Sequence, residues 1–186
     1  MPLQIINSFA TWILKKRIHQ MELFLKYPHE VQEELLFNLI KASENTQLGK
    51  KYDFSSMKSY TSFSERVPVS TYEELEPLIE LTRKGEQNVF WHSNIKWFAK
   101  SSGTTNAKSK FIPVSSEALE NCHYKASKDL LCLYLNNNEE SQMFTGKSLR
   151  LGGSKQLYEN NNTFFGDLSA ILIDNMMIWP ALSSTP

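Results

Sequence analysis

Ser101-Ser102-Gly103-Thr104-Thr105-Asn106-Ala107-Lys108-Ser109-Lys110-Phe111-Ile112-Pro113 is the stretch on which the reading of this chain turns. Small hydroxyl-bearing and glycyl residues lead into two lysines and then into an apolar segment. Hydroxyls and free backbone N–H groups can surround anionic oxygens, a glycine lets the backbone come close, and ammonium groups add charge. The composition suits a polyphosphate, and the flanks narrow the geometry. Ile95-Lys96-Trp97-Phe98-Ala99-Lys100 predicts a strand. Phe111-Ile112-Pro113-Val114 predicts a second, because Pro113 would disrupt a helix opening there. A Gly-Lys-Ser/Thr run entering a helix is absent, as are the three spaced glycines of a dinucleotide fingerprint. The expected element is a strand–loop–strand phosphate grip at the surface. Ser, Gly and Thr clusters also make plain hairpin connections. Ten residues, 101–110, is long for one, and long loops are more often functional.

Upstream, Ile5, Phe9, Trp12, Leu14, Ile18, Met21 and Leu25 recur at helical spacing and predict one helix that Pro28 ends or interrupts. Val31, Leu35, Leu39 and Ala42 mark a second that runs out before Gly49. The two predict a helical hairpin over about 4–48 that covers a sheet. Residues 53–68 read as a connection with one short helical turn. Thr71 and Glu74 form a capping box for a helix ending before Gly85, with Pro77 expected to kink or restart it. Downstream, Ser115-Ser116-Glu117 offers an N-cap to a long helix with Leu119, His123, Ala126, Leu130 and Leu133 as its buried stripe. Lys147-Ser148-Leu149-Arg150-Leu151 predicts a strand closed by Gly152-Gly153-Ser154. Gly166-Asp167-Leu168-Ser169 then leads into apolar residues 170–173. Alternating helices and strands give an α/β class, a mixed sheet flanked by helices, with the phosphate-loop sheet region over about 86–186.

Composition excludes several functions. At 186 residues, with 41% hydrophobic and 22% charged residues, the chain can build a sizeable core and is not disordered by composition. Twenty basic residues balance twenty acidic ones, and no lysine–arginine stripe appears, so nucleic acid is not an expected partner. Cys122 and Cys132, ten apart in a predicted helix, are too distant for a disulfide and read as buried free thiols of a reducing cytoplasm. Lys15-Lys16-Arg17 follows the first apolar residues instead of preceding them, unlike a signal peptide, and no apolar run reaches membrane-spanning length. His19, His29, His92 and His123 lack metal-ligand spacing, so no metal site is assigned to protein side chains. The Ser-Ser-Gly pattern is not a Gly-x-Ser-x-Gly elbow, which disfavours a hydrolase.

Residues 101–113 resemble the phosphate-binding motif of the Gretchen Hagen three family. These are the auxin-responsive acyl-acid amido synthetases of the adenylate-forming superfamily, to which acyl-CoA synthetases and luciferase also belong. Thr46-Gln47-Leu48-Gly49-Lys50-Lys51-Tyr52, residues 63–68, Tyr72-Glu73-Glu74-Leu75 and Gly166-Asp167-Leu168-Ser169 are similar to the family's spacing around it, in a bacterial-type version. Asn106-Ala107 stands where the plant form has a second glycine.

The resemblance implies the N-terminal part, residues 1–186, of a luciferase-like adenylate-forming domain. The remainder, and the C-terminal domain, would be absent. It implies ATP and Mg2+ as cofactors, and a small carboxylic acid and an amino acid as the other reactants. Ser101, Ser102, Gly103, Thr104 and Thr105 would hold phosphates, and Lys110 would add catalytic charge. Lys108 reads as a solvated loop lysine, Asp167 as a cap or turn residue, and Lys155 as part of a strand-end turn. Two other readings stay open: a non-enzymatic remnant that binds nucleotide, a partner chain or its missing C-terminal portion, and a fragment of an acyl-CoA ligase-like enzyme. The first reading expects a fragment that is inactive alone.

Overall fold

Trp97–Lys100 forms strand β1, one of the two inner strands of the sheet. The computed structural model describes residues 2–101, 109–145, 158–160 and 163–176. Strand β2, Phe111–Val114, pairs antiparallel with β1, placing Trp97 opposite Val114 and Lys100 opposite Phe111. On the other side β4, Thr163–Gly166, runs parallel to β1, and β3, Tyr158–Asn160, pairs antiparallel with β4. The order β2-β1-β4-β3 is a mixed sheet, as the alternation of elements predicts. The strand at 147–151 and the turn at 152–155 expected from sequence lie outside the described residues.

Period-2 alternation of the strands sends side chains to two different cores. On one face Phe98 packs with Ile79, Ile95, Phe111 and Phe165 under α6, Tyr72–Arg83. On the other, Ala99 and Val114 pack with Leu119, Tyr124 and Ile171. Helix α6 begins on the predicted capping box: Thr71 Oγ1 accepts from the Glu74 N–H, and the Glu74 carboxylate accepts from the Thr71 N–H. Pro77 neither ends nor restarts it. As the sixth residue of the helix it removes only the one N–H that would have served the Glu73 carbonyl.

The remaining helices build a buttress. They are α1, Pro2–Lys15; α2, Ile18–Lys26; α3, Pro28–Ser43; α4, Gln47–Lys51; and α5, Tyr60–Arg66, with a 3-10 turn at Phe54–Ser56 before α5. The single helix expected ahead of Pro28 is therefore two, parted at Lys16 and Arg17. Arg17 there makes a two-pronged ion pair with Asp129, Nε to Oδ1 at 2.7 Å and a terminal nitrogen to Oδ2 at 2.9 Å. The buried side of α1 is set by Ala10 and Leu14, which pack on Leu135 and Phe144, while Ile5, Phe9 and Trp12 are exposed.

Helix α4 is seated tightly. Thr46, fully buried, donates to the Ser43 carbonyl at 2.7 Å and accepts from the Gly49 N–H at 3.0 Å. The Gln47 and Leu48 N–H groups donate to the carbonyls of Asn88 and Val89, so the first-turn donors of α4 are satisfied by the segment that leads into β1. Asn88 adopts a left-handed φ of 58° to present that carbonyl.

After β2 the chain enters α7, Ser116–Ala118, continues as a π-helical segment over Leu119–Tyr124, and resumes as α8, Lys125–Asn137. The expected cap is present: Ser115 Oγ accepts from the Ala118 N–H at 3.1 Å. The expected stripe is not. Leu119 is buried, but the next buried residue is Tyr124, five positions on, followed by Cys132 and Leu135, whereas Leu130 and Leu133 are exposed. The wider π turns rotate everything downstream relative to α-helical spacing. Cys122, expected to be buried, is exposed for the same reason. Cys132 is buried, which raises its thiol pKa. Helix α9, Leu168–Asn175, has Asp167 at its N-cap position, where its carbonyl accepts from the Ala170 and Ile171 N–H groups and its side chain makes no capping bond.

Candidate functional site

Both ends of the candidate phosphate loop are held by main-chain chemistry. The Ser101 N–H donates to the Lys110 carbonyl at 2.9 Å, and the Lys110 N–H donates to Ser101 Oγ at 3.2 Å. The loop therefore leaves and re-enters the sheet from adjacent antiparallel strand ends, with Ser101 and Lys110 brought together. Residues 102–108, which include the predicted Ser102, Gly103, Thr104 and Thr105 as well as Lys108, lie outside the described residues.

Among the described strands β2 lies at the sheet edge, which explains why it tolerates Pro113. The Phe111 N–H points away from β1 and donates to the Tyr72 hydroxyl at 2.9 Å. Two residues on, the Pro113 nitrogen faces the same way, so its missing N–H removes no ladder bond. Arg83 lies over the Phe111 ring at 3.9 Å. Helix α6 thus fastens β2 at both of its own ends.

Lys110 points onto the start of that helix. Its ammonium donates to Glu73 Oε1 at 2.8 Å and lies 4.8 Å from the centre of the Tyr72 ring. The Lys110 hydrogen bond holds the Glu73 carboxyl below the usual carboxylate value. Glu73 is not among the site residues expected from the sequence. Its pairing with Lys110 joins residues 37 apart, which no local pattern announces. Tyr72 also walls an apolar hollow of about 360 Å3 shared with Leu75, Ile79, Phe90, Trp91 and Ile112. That hollow, lined mostly by apolar side chains, offers little to an anion.

A second polar cluster sits at the start of α7. Ser93 Oγ donates to Glu117 Oε2 at 2.8 Å, and His92 Nε2 is 3.7 Å from Glu117 Oε1. Burial raises the Glu117 pKa, but the hydrogen bonds outweigh it and hold the carboxyl at about 2. Among the described residues no group of three His, Cys, Asp or Glu side chains could hold a metal ion. No helix among them is long and apolar enough to cross a membrane.

Residues 17–186 match the GH3 family N-terminal domain. The chain belongs to the GH3 family. The indole-3-acetic acid-amido synthetase GH3.2 of Arabidopsis thaliana is 31% identical over 106 residues, covering 56% of this GH3 chain and 19% of that protein. The jasmonoyl–L-amino acid synthetase JAR4 of Nicotiana attenuata is 28% identical over 143 residues, covering 75% of this chain and 24% of its own. The structure overlays on GH3.15 acyl acid amido synthetase with a TM-score of 0.74 at 20% identity, covering 87% of this chain and 29% of that one. The fold is that of the N-terminal part of the GH3 architecture, and the chain spans about a quarter or less of the length of these two curated relatives.

Proposed function

We propose that this chain is the phosphate-loop portion of an ATP-dependent acyl-acid amido synthetase. A small acid's carboxylate oxygen bonds to the α-phosphorus of ATP and pyrophosphate leaves. An amino acid's amine then attacks the acyl carbon, expels AMP and forms an amide, losing a proton. The first step adds negative charge around an already anionic phosphate, so pre-aimed N–H groups, hydroxyls and cations carry much of the catalysis. In this reading Ser101, Ser102, Gly103, Thr104 and Thr105 hold the phosphates, Lys110 supplies charge, and Mg2+ arrives on the nucleotide. The acid, the amino acid and the rest of the enzyme are the partners, in the cytoplasm.

The observation that carries the reading is the pair of antiparallel strand ends that brackets the hydroxyl-rich sequence, tied by the mutual Ser101–Lys110 hydrogen bonds. Membership of a family whose relatives are named indole-3-acetic acid-amido synthetase and jasmonoyl–L-amino acid synthetase supports it. A chain covering so small a share of those relatives is expected to give no carboxylate-dependent exchange of pyrophosphate into ATP by itself. Grafted in place of the matching segment of a curated relative, it should support exchange. Lys110→Ala should then lower the rate by about one to two powers of ten, from roughly 1.5–3 kcal/mol for a charge-assisted contact made in the transition state. Lys108→Ala should change it little if the lysine is the solvated charge that the sequence reading makes it. Equal, small effects of the two substitutions would remove Lys110 from the phosphates and overturn the reading.

A further inference from the structure

We propose that Glu73 is a positioning residue for the phosphate loop, holding the Lys110 ammonium at the loop exit before an anionic ligand arrives. The inference rests on the role given above to Lys110.

A free lysine side chain spreads its charge over many rotamers, and a ligand that needs that charge must first collect it. Here the ammonium is gathered already, 2.8 Å from Glu73 Oε1 and 4.8 Å from the centre of the Tyr72 ring. An ammonium carries three donors, and the bond to Glu73 uses one. The Lys110 side chain is 42% exposed, so pairing with Glu73 does not bury it. The support is itself fixed. Glu73 stands in the first turn of α6 behind the Thr71–Glu74 capping box, and Tyr72 ties that turn to the Phe111 N–H. Arg83, at the far end of the helix, covers the Phe111 ring. The backbones that carry Glu73 and Lys110 are therefore locked to one another, as a positioning contact requires.

The same carboxylate could instead act as a counterion that phosphate must displace. Glutamine separates the two roles, since it keeps an oxygen acceptor and loses the charge. Inorganic tripolyphosphate with Mg2+ is titrated by calorimetry into the 186-residue chain and its Lys110→Ala, Glu73→Ala, Glu73→Gln and doubly substituted Glu73→Ala/Lys110→Ala forms.

The expected result has Lys110→Ala binding about tenfold more weakly or worse. Glu73→Ala should bind roughly two- to fivefold more weakly, in keeping with an exposed pair. Glu73→Gln should stay within about twofold of the parent, because its amide oxygen still accepts from the ammonium. In the Lys110→Ala background, Glu73→Ala should add nothing. Tighter binding by both Glu73 variants would make it a competing counterion and overturn the proposal. Additive losses in the double variant would make Glu73 a general structural residue and overturn the proposal equally. A Lys110→Ala loss with Glu73→Ala silent refutes the positioning role alone. No binding by the parent, or no loss in Lys110→Ala, refutes the phosphate role of Lys110 and this inference with it.

Discussion

Replacing Gly49 by alanine sets helix propensity against packing, and the two forecast opposite signs. In an ordinary helix interior the change stabilises by about 0.5–1 kcal/mol, because glycine loses more backbone freedom on folding. At this site an added Cβ would stand 2.0 Å from the Ser43 carbonyl oxygen and 2.9 Å from that of Glu44. Both neighbours are backbone at the end of α3, so no side chain can swing aside. Helix α4 would have to withdraw by more than about an ångström to reach ordinary carbon–oxygen contact. That movement pulls on the Thr46 bonds to Ser43 and Gly49 and on the Gln47 and Leu48 donors to Asn88 and Val89. Overpacking of this kind costs about 1–3 kcal/mol, and the burial of Thr46 places it toward the upper end. After the propensity gain, a net loss of about 1–2 kcal/mol remains, or a fall in midpoint of about 2–8 °C for a chain of this size. Thermal and urea unfolding followed by circular dichroism measure it. A Gly49→Ala variant as stable as the parent, or more so, would refute the seating of α4.

Two further outcomes follow from the site. The Glu117 carboxyl is lowered from 4.5 to about 2, so the stability it confers is complete above 4.5 and lost as pH falls from there toward 2. Discounted for partial exposure, that is about 1–2 kcal/mol. Urea unfolding of parent and Glu117→Gln between pH 6 and pH 2 should therefore converge at the acid end, and parallel curves would contradict the hydrogen-bonded carboxylate. Tyr72→Phe removes the acceptor for the Phe111 N–H and should cost about 1 kcal/mol, seen as faster amide exchange at Phe111. Unchanged exchange at that amide would show that Tyr72 does not fasten β2.

Residue order alone reveals whatever local chemistry decides. Thr71 with Glu74, and Ser115 ahead of Ala118, announce helix starts because caps are short-range hydrogen bonds. Pro113 and the aromatic flanks give the strand pair for similar reasons. The stripe on the helix after β2 escapes such a reading because apolar spacing assumes α turns, and nothing in Leu119-Glu120-Asn121-Cys122-His123-Tyr124 signals wider ones. The break between α1 and α2 is invisible because the apolar period runs across it, while its partner, Asp129, is 112 residues away. Lys110 stands out through its motif. Glu73 does not, because a carboxylate in a first helical turn already has a sufficient local explanation.

The pairing of β1 carries a consequence for how the polypeptide is made. Trp97 meets Val114 through a nearby hairpin, but its other neighbour is Phe164. During synthesis the hairpin can close early, whereas the opposite edge of β1, with Phe98 between Trp97 and Ala99, waits until β4 has left the ribosome. For that interval an apolar edge with unpaired N–H and C=O groups is open to any other nascent strand. Expression yield should therefore depend on the speed of elongation through the segment between β2 and β4, a kinetic vulnerability that the finished sheet conceals.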